Sequence, residues 1–184
     1  MHALSGLRVV DFSTGLAGPY CTKLLADARA DVIKVESSAG DPLRRRSASG
    51  GDLPGEDSPL FCFLNASKRS VVGGPSDPDV IELVAGADLV VESFAPGEFD
   101  ARALCARFPS LVVLSISPYG RRGPWADRCA TEFTLQAESG SIGSRGLPGA
   151  EPFQAGGRIT EWVAGTFASV GALAAVRRAR EFGW

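Results

Sequence analysis

Histidine is all but missing from this chain of 184 residues; the one copy is His2. A chain terminus is poorly tied down. Ser-His-Asp and Cys-His sites need an imidazole fixed beside the nucleophile, so neither is expected here. Acid–base or nucleophilic chemistry then has to rest on carboxylates, lysine or cysteine. Cysteine is scarce as well. Cys21, Cys62, Cys105 and Cys129 are far apart and form no C-x-x-C pair, so neither a metal site nor a disulfide framework is expected, and the setting reads as reducing and cytoplasmic. Neither sign of charge prevails: 19 Lys and Arg against 21 Asp and Glu leave a net charge of -2, which gives no electrostatic reason to expect a nucleic-acid partner. No apolar run approaches the ~18 residues of a bilayer span, so no membrane contact is expected. Met1 to Ser5 lacks the charged and apolar regions of a signal peptide. No internal repeat is evident.

What is present is a chain long enough for one domain with a real core. Its organising stretch is Leu4 to Glu36. Leu7 to Phe12 is short and apolar, as a buried strand should be. Ser13 to Pro19 is a loop punctuated by Gly15 and Gly18, and Pro19 suits the first turn of a helix. Tyr20, Leu24, Leu25 and Ala28 follow at helical spacing, and Val32 to Glu36 is a second strand. A strand, a crossover helix and a second strand imply a parallel sheet. The Gly15-x-x-Gly18 pair lacks the G-x-G-x-x-G spacing of a dinucleotide fingerprint and reads as a turn.

Residues 37–59 read as a long loop carrying Arg44, Arg45 and Arg46. They form either a solvated charge run or a phosphate contact, for which arginine is suited. An apolar patch, Leu60 to Leu64, precedes Asn65, and Lys68 to Val72 reads as a short strand. Gly73 to Pro78 breaks the chain, with Asp77 as a helix cap and Pro78 at the first helical position. A helix ending at Gly86, a strand over 87–92, a helix over 99–107 and a strand over 111–116 follow. Residues 128–138 are mixed, and 140–157 read as a glycine-rich loop. A closing helix spans 159–180, with arginines near its end to complement the dipole. The pattern predicts a doubly wound α/β sheet, whose ligands bind outside the carboxyl ends of the strands.

Several pieces, in this order, also carry a resemblance: LSGLRVVDFS, AGPYCTKLLAD, ADVIKVE with a GDP and arginines after it, FLNASKRSV at 63–71, ADLVVESFAPG at 87–97, PSLVVLSISPYGRRGP at 109–124 and QAESG at 136–140. Together they resemble the N-terminal half of the class III (CaiB/BaiF-like) CoA-transferases, a family that also includes α-methylacyl-CoA racemases. The resemblance covers essentially the whole chain. It implies a Rossmann-like large domain over 1–184, incomplete without a C-terminal half, from a chain of about twice this length. It further implies an interlocked homodimer, or a heteromer with that half. The substrates implied are an acyl-CoA and a carboxylic acid. CoA contacts would fall at Leu16 and Ala17 (by backbone and shape), Gly73, Ser93, Phe94 and Ala95, and at Arg44, Arg102 and Arg128.

In the family, an aspartate four residues before a glycine, at the start of the closing helix, attacks the thioester. It forms a mixed anhydride and then an enzyme-bound CoA thioester, which a second acid resolves. The matching residues here are Glu161 and Gly165. Glutamate keeps the carboxylate but carries it outward by one methylene, about 1.5 Å, and a misplacement of about 1 Å can cost on the order of 10²-fold in rate. An unrelated class of CoA-transferases does use glutamate. The plainer reading is that Glu161 merely favours the helix dipole. Other departures are Ser93 where asparagine is usual, the 73–76 turn in place of a Leu-Asp-x-Lys segment along the adenine and ribose, and Arg29 where glycine is usual. The racemase branch uses a His and an Asp; Thr131 and Glu132 stand at the matching place, and Glu132 alone would have to be the base. Three readings stay open: transfer of CoA by Glu161, a catalytically degenerate half that pairs with an active partner, and a different Rossmann-like nucleotide enzyme.

Overall fold

The computed structural model describes residues 3–48, 51, 53 and 55–183. His2 and residues 49, 50, 52 and 54 of the long loop lie outside these. The elements run β1 (Arg8–Asp11), α1 (Ala17–Asp27), β2 (Asp31–Glu36), a 3₁₀ turn (Pro42–Arg45), α2 (Pro59–Asn65), β3 (Arg69–Val72), α3 (Pro78–Ala85), β4 (Leu89–Glu92), α4 (Ala101–Arg107), β5 (Val112–Ser115), α5 (Glu132–Glu138) and α6 (Ile159–Phe182). The strands form one five-stranded sheet in the order β3-β2-β1-β4-β5, with every pairing parallel.

Alternation along the strands divides the core into two. Val9, Val32, Leu89, Val91 and Val112 face one side, where Leu25 and Ala26 of α1 and Ala172 and Val176 of α6 cover them. Val10, Val35 and Val90 face the other, under Val80 and Val84 of α3 with Leu104 of α4 packed alongside. The fold is therefore three layers with helices on both faces, the doubly wound arrangement expected from the sequence. Full burial of each such aliphatic side chain is worth roughly 1.5–3 kcal/mol.

The structure adds detail where the sequence pattern was weak. The apolar patch at 60–64 is helical: Ser58 caps α2 by accepting from Phe61 N. The mixed segment holds α5, capped by Thr131 and Thr134 in a reciprocal box. Asp77 stands at the N-cap of α3, but its side chain makes no cap bond and instead accepts from Gly74 N at 2.7 Å. Arg29 adopts φ 77°, the left-handed region, which explains why glycine suits that position. One departure concerns α6. By length and composition it could cross a bilayer, whereas the sequence shows no unbroken apolar run because Gly, Ser, Thr and Glu161 interrupt it. One side of α6 packs on the sheet, while Val163, Phe167 and Val170 on the other are exposed.

Two close approaches fix the parts that carry the site. A Cβ on Gly165 would lie 2.6 Å from Ala17 O, so α6 can cross the start of α1 only with glycine there. A Cβ on Gly18 would collide with the Ser13 side chain, so the loop after β1 folds tightly onto α1 for the same reason.

Candidate active site

Strand order reverses between β1 and β4, and in such sheets the loops leaving the carboxyl ends on either side of that point open a crevice. Here those loops start at Phe12 and Ser93, and they are tied together: Thr14 N donates to Ser93 Oγ at 2.9 Å. Beside them lies a cavity of about 440 Å³. Its walls come from Thr14, Ala17 and Gly18 after β1, Ser93 after β4, Ile116 to Pro118 after β5, Leu135 of α5, and Thr160, Glu161 and Ala164 of α6. The wall is mainly apolar, with hydroxyls from Thr14, Ser93, Ser117 and Thr160. The Ser117 hydroxyl is buried and has no hydrogen-bond partner among the described residues.

Glu161 sits in the first turn of α6. Its Oε2 accepts from Leu16 N at 3.2 Å, and its Oε1 takes both Nε and Nη2 of Arg158. The carboxylate is thus oriented by one backbone amide and one guanidinium, and it borders the cavity. Glu132 is placed differently. It accepts from Thr160 N at 2.9 Å, from Thr160 Oγ1, and from Gln136 Nε2 at 2.7 Å. Burial raises the Glu132 pKa, but the Thr160 and Gln136 donors and the nearby charge of Arg158 outweigh it, leaving the group below the usual range. A carboxylate so engaged ties α5 to α6 and is a poor base.

The loop that presents Leu16 N rests on a buried cluster of charge. Asp11, at the end of β1, accepts from Ser13 N at 3.0 Å, Ser13 Oγ at 2.5 Å and Thr22 Oγ1 at 2.5 Å, and it pairs with Lys68 at 3.2 Å. Lys68 also donates to Pro19 O at 2.9 Å and Asn65 Oδ1 at 2.9 Å. Lys34 donates to Ser13 O at 2.9 Å and pairs with Asp41 at 2.8 Å. Burial would raise the Asp11 pKa, but Lys68, Lys34 and the two hydroxyl donors prevail and hold it below the ordinary value. This cluster was not foreseen. The available signals were a lysine inside the apolar run of β2 and another just before β3.

Ala17 and Ser93 thus line one cavity with Glu161, while Leu16, its side chain buried, meets Glu161 through its backbone N–H. Gly73 and Phe94 line a neighbouring one of about 380 Å³, which shares Thr14 with the first. A Cβ on Gly73 would lie 2.7 Å from Val80 Cγ2, so that turn depends on glycine. Phe94 stacks on Phe99 at 5.3 Å between ring centroids. The Ala95 carbonyl accepts from Arg121, whose guanidinium also pairs with the buried Glu92. Arg102, exposed on α4, borders a third cavity with Arg121 and Arg122. Arg44 borders none of these. It pairs with Glu36 and Asp57 and lies over the Phe61 ring. Arg128 is also apart, paired with Glu138 beside Tyr119 and Trp125. Thr14, Ser117, Arg158 and Thr160 belong to the site but were not singled out in the sequence, since small polar residues in loops carry no pattern of their own.

The sheet order and the crevice at its reversal make this a doubly wound α/β protein of the Rossmann-like class. Within that class the chain belongs to CoA-transferase family III, whose family model matches residues 4–183. It is 38% identical to the BbsE subunit of succinyl-CoA:(R)-benzylsuccinate CoA-transferase from Thauera aromatica, over 97% of this chain and 46% of that protein. It is 36% identical to the formyl-CoA:oxalate CoA-transferase of Streptomyces avermitilis, over 95% of this chain and 44% of that one. Among solved structures, a CAIB/BAIF family protein from Brucella suis matches with a TM-score of 0.85 and 34% identity, over 97% of this chain and 50% of that chain. The chain therefore spans about half the length of the relatives it matches.

Proposed function

We propose that this chain is the CoA-binding, nucleophile-bearing part of an enzyme that transfers CoA from an acyl-CoA to a carboxylic acid, with Glu161 as the nucleophile. What carries the reading is one observation in a chain of this family: Glu161 borders the crevice at the sheet's reversal, with Leu16 N on one of its oxygens. A Glu161 oxygen attacks the thioester carbonyl, the C–S bond breaks, and CoA leaves as thiolate from a Glu161–acyl anhydride. The thiolate then attacks the Glu161 carbonyl, the donor acid leaves as carboxylate, and a glutamyl-CoA thioester remains. An acceptor carboxylate attacks that carbonyl and displaces thiolate. The thiolate takes the acceptor acyl group, and Glu161 is returned as carboxylate. Leu16 N can follow the changing charge on the Glu161 oxygens, and the hydroxyls of Thr14 and Ser117 are available to the oxyanions that form, whereas Ser93 Oγ would first have to give up its weak bond to Thr14 O at 3.4 Å.

CoA would run along the carboxyl edge from Leu16 and Ala17 past Ser93, Phe94 and Ala95, with Gly73 beside the base and Arg102 among the cations open to phosphates. Arg44 and Arg128 would first have to leave Glu36 and Glu138. No step asks for a metal. The exposed Val163, Phe167 and Val170 on α6 support an assembly in which further chain covers them, whether an interlocked dimer or a heteromer. Two observations favour a second reading, a degenerate half beside an active partner. The Glu161 carboxylate is already held by Arg158, and a relative at 38% identity is named as a subunit.

The natural assembly containing this chain separates the two. Glu161→Gln should abolish transfer from succinyl-CoA to a labelled acid. In a site built for glutamate, Glu161→Asp should lower the rate on the order of 10²-fold; in one that keeps the family's aspartate geometry it should match or raise it. Full activity in Glu161→Gln would reject the nucleophile and leave the degenerate half.

A further inference from the structure

Arg158 is unusual in backbone and in contacts. It follows Gly156 and Gly157 and adopts φ 57° and ψ 47°, the left-handed conformation that side chains other than glycine, asparagine and aspartate rarely take. That conformation stands at the N-cap of α6, where Arg158 makes no cap bond. Instead, two N–H groups of the guanidinium converge on a single oxygen, Glu161 Oε1. A guanidinium edge matches the two oxygens of one carboxylate, so here that fork is only half used. The pair is neither sealed nor free: the Arg158 side chain is 33% exposed and that of Glu161 is 23% exposed.

Charge decides what this arrangement does during the proposed reaction, on which the inference rests. Both the acyl anhydride and the glutamyl-CoA thioester are neutral at Glu161. In either state Arg158 loses the anion it holds, beside a mainly apolar cavity. The other carboxylate near it, Glu132 on α5, already accepts from Thr160 N, Thr160 Oγ1 and Gln136 Nε2. The group that must enter next is itself a carboxylate.

We infer that Arg158 is the binding residue for the acceptor acid: it releases Glu161 when that side chain is acylated and takes the incoming carboxylate beside the Glu161 carbonyl. One acceptor oxygen stays on the guanidinium while the other attacks. When transfer is complete Glu161 is again an anion, Arg158 returns to it, and the product acyl-CoA, now without that carboxylate charge, is free to leave. Arg158 therefore gives the site a carboxylate preference that appears only after the first half of the reaction.

The test uses the natural assembly and two probe acids, acetate and succinate. Glu161→Gln imitates the neutral, acylated side chain. Calorimetry should show that variant binding the probes about tenfold or more tightly than the parent, since a hydrogen bond to a charged group is worth that much. Adding Arg158→Gln should remove the gain, and Arg158→Lys should keep part of it. In turnover, Arg158→Gln should raise the acceptor KM about tenfold with the acyl-CoA KM unchanged, and the Glu161 adduct should accumulate. Equal probe affinity with and without Arg158 in the Glu161→Gln background would overturn the assignment, even if Glu161 proves to be the nucleophile. Absence of any Glu161 adduct would reject the nucleophile instead, and the calorimetry would still decide whether Arg158 holds a carboxylate.

Discussion

Two ion pairs flank the loop after β1, and they are built on opposite principles. Asp11 and Lys68 are both buried, at 0% and 1% side-chain exposure, and the remaining valences of each are met by Ser13, Thr22, Pro19 and Asn65. Arg158 and Glu161 are partly open and have few other partners, and Glu161 borders a cavity. A saturated pair can only hold a shape. A pair left short of partners, at the edge of an empty space, can exchange one. The first fixes the path of Ser13 to Leu16, and that path brings Leu16 N to the second.

The largest way to break the comparison is Lys68→Met. It leaves Asp11 buried without its cation, and loss of about 3–5 kcal/mol in chemical denaturation is expected. Glu161→Gln should change the same measurement by about 1 kcal/mol or less, since exposed and half-exposed pairs contribute little. If the two variants cost the same, the distinction between a structural and an exchangeable pair is lost.

Next in size is Gly165→Ala. Its Cβ would lie 2.6 Å from the Ala17 carbonyl, a backbone atom that cannot swing aside. Strain of this kind costs typically about 1–3 kcal/mol. It should also move α6 away from the loop, so that chemical denaturation shows a larger loss of stability than in Glu161→Gln and the transfer rate falls as well.

A third effect appears only in acid. Burial alone would raise the Glu36 pKa, but Arg44, Ser70 and the amide of Asp41 bring it from 4.5 to about 2. A carboxyl with a depressed folded pKa adds stability that is present above the ordinary value and is lost as pH falls through the folded one. Denaturation midpoints should therefore drop between pH 4.5 and about 2, and Glu36→Gln should flatten that part of the profile. An unchanged slope in Glu36→Gln would show that Glu36 is not the group whose titration sets this part of the profile.

Much of this frame was legible before any coordinates. Strand runs such as VVDF and DLVV, spaced by helical periods, are enough to write a parallel sheet, because each must bury both faces. The ends of elements were less clear. Phe61 and Leu64 looked like an unassigned patch because a seven-residue helix gives too few turns for periodicity to show. Asp77 looked like a side-chain cap, but the carboxylate finds Gly74 N closer to hand. In the site, Glu161, Leu16 and Ala17 were legible only through the family resemblance: Glu161 by matching its aspartate-to-glycine spacing at Gly165, and Leu16 and Ala17 by matching its loop after the first strand. Lys34 and Lys68 were not, because a lysine in a strand, as Lys34 is, or just before one, as Lys68 is, normally reaches water and only tertiary packing buries it. Arg158 was hidden for a different reason: its role depends on a left-handed backbone, and only the two preceding glycines mark the irregular chain there.

The most direct test of the central claim is intact-mass and peptide-level mass spectrometry of the natural assembly after brief incubation with an acyl-CoA. Hydroxylamine or borohydride is used to trap the ester-level carboxyl. The account predicts a modified Glu161, as an acyl anhydride or CoA thioester before trapping and as the hydroxamate or alcohol after it, and none in Glu161→Gln. Active transfer with Glu161 unmodified, and with a carboxylate of another chain or segment carrying the adduct, would contradict it.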